Sequence, residues 1–566
     1  MRRILGRPLI LVLGVAMAAM ACSSSTKSAN NGSGATTTAA GAPNVKKGGN
    51  LVIGAEQWPD CINPITQCAN SSWMFWVTDQ QVLPKLMYLD QKNNFKASPV
   101  ITEAPTAANG GLKNNPFTLT YHLDPKAVWD DMSPITCDDV SFTEQAYLKT
   151  TGTLSTVGYD QVDNIACPDP KTVVITFKAP FADWPDMFGG NQGHVLKKAA
   201  FPNGPDVSKD MQTSLPFSGT PWKLQSFSKD QAVLVPNTNY WVKADLPYLD
   251  QVTFVPRTDQ DTEITSLLTG EVSAIYPQPS PGYTKKLTGS NVQFTATGGF
   301  TIEGLWYNLS KAPMNDVKVR QAVSMAVDRS AIVDTIIHPD TPKLGILNCS
   351  GIWVSDGPWC DNSYQDLKYD PAGAKTILQA DGWTLGADGI FAKGGTKLDL
   401  ELNTVTGNTR RENIEQLVIQ QAKAAGIGMH VKNYDRTTLF QTVIPHLNHT
   451  IGIYAQVASS DPSVTSIFAC DQIPSAANKF SGQNDDAWCN QQATTLMQQS
   501  DATVDPTARA TIIKQVGKLV HDDWVWLPFY QLPLTTAWRT DKVAGPVDDY
   551  TGSSLVFYNL NKWHQP

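Results

Sequence analysis

The chain has 566 residues, with 44 Lys and Arg against 52 Asp and Glu, a formal net charge of −8, and only 17% charged residues. The acidic balance and the lack of a basic cluster past the first residues argue against a nucleic-acid partner, and no later apolar run reaches the roughly 20 residues that a membrane-spanning helix needs. The length is several times what one hydrophobic core fills, so two or more lobes are expected, and 16 Trp suit aromatic-lined sites.

At the N-terminus, Arg2, Arg3 and Arg7 form a basic head and Leu9 to Ala21 an apolar run too short to cross a bilayer, so residues 1–21 read as an export signal. Its end, Ala19-Met-Ala-Cys22, resembles a lipobox, in which a diacylglycerol is attached to the cysteine before cleavage on its N-terminal side. Cleavage of an ordinary signal peptide is the alternative. Residues 22–44, made mostly of Ser, Thr, Ala, Asn and Gly, have almost nothing to bury and read as a disordered tether. The expectation is an exported protein held at the outer face of the cell membrane by a lipid on Cys22.

Further along, strands and capped helices mix as in an α/β protein. Lys46 to Gly54 and Lys171 to Phe177 are rich in β-branched residues and read as strands, as does Gln251 to Val255. Asp259 can cap a helix that runs to Gly270, with Val272 to Tyr276 extended after it. In Tyr369 to Trp383, Asp370 suits the cap, Pro371 the first helical position and Gly382 the stop. Leu398 to Leu402 alternates as a half-buried strand, a helix follows from about Arg411 toward Gly426, and Ile427 to Val431 is extended. Asp505-Pro506 opens a last helix whose apolar face is Ile512, Ile513, Val516, Leu519 and Val520.

Nine cysteines less Cys22 leave eight, and they fall as near neighbours: Cys61 and Cys68, Cys137 and Cys167, Cys349 and Cys360, Cys470 and Cys489. An even number in an exported chain predicts disulfides. Of about 105 possible connectivities, sequential pairing is expected because it closes short loops whose ends can meet without crossing the fold. No Cys-x-x-Cys occurs, and His446 and His449, the only closely spaced histidines, read as surface polar residues, so no metal or cofactor is expected. Nucleophile-elbow and zinc-protease motifs are missing, and Gly389 to Gly395 fails the phosphate-loop pattern. Asp130-Asp131 and Asp138-Asp139 read as turn and cap residues. A binding protein is expected rather than an enzyme, with a secreted surface hydrolase as the alternative.

Leu123-Asp-Pro-Lys-Ala-Val-Trp-Asp-Asp-Met-Ser-Pro-Ile-Thr-Cys-Asp-Asp-Val-Ser-Phe142 resembles the signature region of the family 5 solute-binding proteins of ABC importers, the oligopeptide- and dipeptide-binding group. Asn237 to Trp241, Tyr307 to Ala322 with Ala326 to Arg329, Tyr369 to Trp383 and Trp526 to Tyr530 are similar to further landmarks of that family, in the same order. Met132 stands where the family usually has Gly, Cys137 where Ala is common, and Ser218 to Trp222 is an altered turn. The resemblance implies an α/β fold of two lobes with an extra subdomain, of the periplasmic-binding-protein type. It would be a monomer closing on a small solute, most simply a short peptide, and delivering it to ABC permease subunits. A metal chelate, sugar or haem is the alternative cargo. Lobe I would take residues 45–90, 212–300 and 527–566, the subdomain 91–211 and lobe II 301–526.

By the same resemblance the ligand lies between the lobes, touched by Glu56, Gln57 and Trp58, by Leu305 and Trp306, by Tyr454, Ala455, Gln456, Val457, Ala458 and Asp461, and by Tyr530 and Leu532. Trp58 and Trp306 would be flat apolar walls. Asp316, Arg320, Asp328 and Arg329 are expected to cap and pair within the helices. Peptide-binding members hold the ligand's ammonium with a buried Asp, and Ala458 stands at that position. Either Asp461 takes over, or the ligand presents no free amine there; the second is favoured, with backbone-type hydrogen bonds and aromatic walls reading the cargo.

Overall fold

The computed structural model describes residues 45–566 apart from 91–93, 191–192, 356, 459–460 and 549–555; the expected signal and tether, with Cys22, lie outside the described residues. Ten strands make the main sheet. They are β1 (Asn50–Ala55), β2 (Trp222–Phe227), β3 (Ala232–Pro236), β4 (Gln251–Pro256), β5 (Ala274–Ile275), β6 (Val292–Tyr307), β7 (Asp399–Asn403), β8 (Gly428–Val431), β9 (Ile451–Val457) and β10 (Trp526–Arg539). Their spatial order is β8-β7-β9-β6-β10-β5-β1-β4-β3-β2. The first strand, Asn-Leu-Val-Ile-Gly-Ala, is nearly all apolar and runs parallel to both β4 and β5, as a strand covered on both faces should.

β6 and β10 are the axis of the molecule. They pair antiparallel from Val292 and Arg539 to Trp306 and Trp526, with register breaks between Gly298 and Ile302 and between Glu303 and Gly304. Apolar side chains divide along this ribbon. One cluster gathers Leu51 to Tyr276 with Leu534 to Trp563, while two others gather Ile302 to Leu532. The molecule therefore has two lobes joined by a two-stranded ribbon. Leu527 to Leu532 packs in the second lobe, so the chain recrosses between Leu532 and Leu534, later than the 526/527 boundary expected from sequence. The two clusters of the second lobe are the two faces of its sheet: Leu305, Leu527 and Ile453 belong to one, Trp306, Trp526 and Tyr454 to the other. In the first lobe a four-stranded sheet (Leu112–Asn114, Phe117–His122, Thr172–Phe177, Val162–Asp169 in spatial order) and the Cys137–Lys149 helix fall within 91–211.

Local signals explain the helices. Asp259, Asp370 and Asp505 accept from the amides of Thr262, Gly373 and Ala508, and Gly270 and Gly382 take φ of 80° and 86° where their helices end. The helix expected from about Arg411 starts at Thr409, because Asn408 accepts from the Arg411 amide. All four sequential cysteine pairs are bonded, with Cα separations from 4.5 to 5.7 Å. Among the described residues no helix is long and apolar enough to cross a membrane.

The sequence landmarks hold the frame together. The Asp130 amide donates to Ser218 O (2.8 Å), the Ser218 amide to Asp130 Oδ1 (3.0 Å), and Asn239 Nδ2 to Asp130 O (2.6 Å). Three motifs thus meet at one node. Asp139 closes a capping box with Thr136. Met132 has φ of 70°, the left-handed conformation that explains why glycine is usual there. Arg320 and Arg329, expected to pair within the helices, instead hold main-chain carbonyls, among them those of Asp523 and Tyr364. One histidine differs from its surface reading. His446 is exposed, but His449 is fully buried, and burial, with Lys311 nearby, takes its pKa down to about 3.

Candidate functional site

A cavity of about 360 Å³ lies between the lobes, a size suited to a small ligand. From the first lobe, Trp76 reaches it from the helical segment Ser72–Val82, packed edge-on against Tyr276 at 4.7 Å. Tyr147, near the end of the Cys137–Lys149 helix, stacks on Tyr159 at 3.9 Å, and both line the cavity. Asp183 precedes the short Trp184–Met187 helix without capping it, and its Oδ1 is buried with no hydrogen-bond partner. Burial, then the charges of Asp461 and Asp186, push its pKa well up, against the pull of Arg509.

From the second lobe, the end of β9 and Ala458 form one wall, and Phe440 meets Tyr454 edge-on at 6.0 Å. The Tyr454 hydroxyl is buried without a hydrogen-bond partner. Asp485 lines the cavity from the loop that Cys470–Cys489 closes, and burial pushes its pKa up to about 8. Two more disulfide loops add lining residues: Cys61–Cys68 encloses Pro64, Ile65 and Gln67, and Cys349–Cys360 encloses Ile352.

A cavity shared by two lobes on a two-stranded ribbon is the geometry of a solute trap. Residues 105–472 match the family model of bacterial extracellular solute-binding proteins, family 5. The chain belongs to this family. Among its relatives, the oligopeptide-binding protein AppA of Bacillus subtilis is 24% identical over 485 residues, 83% of each chain. The glutathione-binding protein GsiB of Salmonella paratyphi A is 23% identical over 389 residues, 67% of this chain and 70% of its own. In three dimensions AppA bound to a nonapeptide superposes with a TM-score of 0.79 at 21% identity, covering 92% of this chain and all of that one. NikZ of Campylobacter jejuni with Ni(L-His) also reaches 0.79, at 17% identity, covering 91% of this chain and 99% of that one.

As a family 5 protein the chain was expected to use thirteen residues at its cleft, and the structure divides them. Tyr454, Ala455, Gln456, Val457 and Ala458 line the cavity. The other eight are absent from its lining. Glu56 is buried and accepts from Trp73 Nε1 and Gln278 Nε2; burial raises its pKa to about 7. Gln57 is half-buried beside it. Trp58 stacks on Phe227 at 5.7 Å and donates to Ser228 O, within the first lobe. Leu305 and Leu532 are core residues of the second lobe.

Trp306 offers no wall to the cavity. It is 1% exposed, stacked between Trp526 at 4.3 Å and Tyr454 at 5.3 Å on three neighbouring strands, and its indole donates to Tyr454 O. Gly304 and Gly452 make room for this stack, since a Cβ at either would collide with the Trp526 or Tyr454 ring. Tyr530 is buried with its hydroxyl on Glu303 (2.7 Å). Asp461 is held by both terminal nitrogens of Arg509. Sequence reasoning missed Trp76, Asp183 and Asp485: no motif marks them, and the only local signal, Asp183-Trp-Pro-Asp186, reads as a helix start.

A polar chain passes from lobe to lobe through residues outside the cavity lining. Glu303 on β6 receives Arg410 (2.9 and 3.0 Å) and Arg411 (2.5 Å) from the Thr409–Ala424 helix; Arg410 also donates to Gln278 Oε1 (2.9 Å), and Gln278 donates to Glu56 (2.7 Å). Burial opposes ionisation of Glu303, but the two guanidiniums override it and hold its pKa down to about 2.

Proposed function

We propose that this protein is a membrane-tethered receptor that captures a small solute, short peptides being the leading class, and hands it to the permease of an ABC importer. The observation that carries the reading is the cavity that both lobes line in a chain of the solute-binding family. A site split between lobes closes when they approach, which buries the solute and gives the permease a distinct loaded shape to recognise. The peptide class is supported by two relatives, one named for oligopeptides and one for glutathione. Lipidation at Cys22 and action as a monomer complete the proposal.

Native mass spectrometry of the full chain, purified without denaturation, tests it. A carried solute should appear as an added mass that is lost on unfolding. A pool of short peptides incubated with the protein should lose free peptide without yielding fragments. Fragments produced with turnover would move the protein to the hydrolases.

A further inference from the structure

The cavity wall is acidic. Asp183, Asp186 and Asp485 line it, and no Lys, Arg or His stands among its described lining residues. Asp485 takes part in none of the ion pairs or hydrogen bonds found among the described residues, and Asp183 Oδ1 is buried without a partner. Arg509, the cation that acts on Asp183, is already committed: it grips Asp461 with both terminal nitrogens and lies 3.7 Å from Asp501.

Neutral groups on the same wall repeat the pattern. The Tyr454 hydroxyl and Trp76 Nε1 belong to residues only 2% and 7% exposed, and neither has a hydrogen-bond partner. One carboxylate oxygen of Asp183 and two neutral polar groups are thus left buried and unsatisfied on one small cavity, beside the half-buried Asp485, although burying such groups unpaired is costly. An anionic solute would add to this cost, whereas a cation would cancel it. Among the described residues no three His, Cys, Asp or Glu come together to hold a metal ion, and the aromatic part of the lining suits an organic cation. The remaining lining, with Trp76, Phe181 and Phe440, suits an apolar body and a cation over a ring face.

We infer that the cavity selects a cationic solute, one ammonium or guanidinium group on a largely apolar body, held between Asp485 of the second lobe and Asp183 of the first. The inference rests on the cavity being the solute site. It replaces the expectation of a cleft that reads its cargo mainly through backbone-type hydrogen bonds: the anchor missing at Ala458 is supplied from two other places. A carboxylate on each lobe also makes the cation a bridge that favours closure.

Calorimetry on the full chain with matched tripeptides tests this. The probes are alanyl-phenylalanyl-alanine amide with a free amine, its N-acetyl form, the N-acetyl form with lysine as third residue, and the N-acetyl form with a free carboxylate. Binding at least tenfold tighter for the free-amine or the lysine probe than for the two uncharged or anionic ones is expected, and the stronger of the two tells a terminal from a side-chain cation. Asp485→Asn and, separately, Asp183→Asn should remove that preference, weakening the charged probe by at least tenfold. Both variants should melt no lower than the parent, since each relieves a carboxylate of burial. Equal or tighter binding of the uncharged or anionic probe overturns the inference and leaves the solute trap standing. Failure of every probe also overturns it, and native mass spectrometry, which sees a carried solute of any charge, then decides whether the trap falls with it.

Discussion

Two buried glutamates show how neighbours set the behaviour of one residue type. Glu303 is ionised because Arg410 and Arg411 face it, and its pKa falls from the ordinary 4.5 to about 2. Its stabilising effect is complete above pH 4.5 and is lost as the pH falls through that value toward 2. Glu56 has amide and indole donors but, among the described residues, no salt bridge, so burial lifts its pKa to about 7. The sign reverses: its effect on stability is most favourable below pH 4.5 and is lost as the pH rises toward 7. The melting temperature should therefore decline from pH 5 to pH 8, and Glu56→Gln should flatten that decline. Glu303→Gln should cost about 3–5 kcal/mol near neutral pH, because it leaves two guanidiniums buried without their counter-charge. Denaturant titration measures it; a loss under 1 kcal/mol would show that Gln278 and Tyr530 suffice to hold the arginines.

At the scale of elements, all four disulfides close loops that carry cavity-lining residues, but only one of these loops carries an unpaired cavity carboxylate. The Cys470–Cys489 loop carries Gly482, Gln483 and Asp485, while Cys137–Cys167 ties a helix to its sheet. Removing either pair by Cys→Ala double substitution should lower stability by about 2–4 kcal/mol. Only loss of the Cys470–Cys489 bridge should also weaken solute binding, because only there does the freed loop carry a cavity carboxylate; equal affinities for the two variants would refute the distinction. The sequence made much of this scale legible. Asp caps, Pro at the first helical turn, stop glycines and near-neighbour cysteines are local signals, and they recovered strands, helices and cross-links. The site was less legible for a physical reason. Landmark residues such as Asp130, Asn239 and Arg320 recur in the family because they tie the frame together, so following them led to Trp306 and Tyr530 in the core. Asp183 and Asp485 lie far apart in the chain, in segments without periodic pattern, and become a site only when the lobes meet.

At the scale of the whole molecule, a receptor that hands its solute to a membrane permease gains from being held near it. The sequence offers a device for this. A lipid on Cys22, as proposed, would do this, since the apolar run before it is shorter than the roughly 20 residues that a membrane-spanning helix needs. A single acyl chain binds a membrane only weakly, whereas the two chains of a diacylglycerol hold firmly, so anchorage through the proposed lipid should depend on Cys22. Cys22→Ala should move the protein from the membrane fraction to the soluble one and from the detergent phase to the aqueous phase on phase separation. The purified variant should melt at the same temperature as the parent and bind solute equally well, because the fold, its four disulfides and the cavity all lie in residues 46–566. Uptake by cells should nevertheless drop, as the local concentration of receptor at the permease is lost. A variant that stays with the membrane would show that Cys22 carries no lipid and that another contact holds the receptor there.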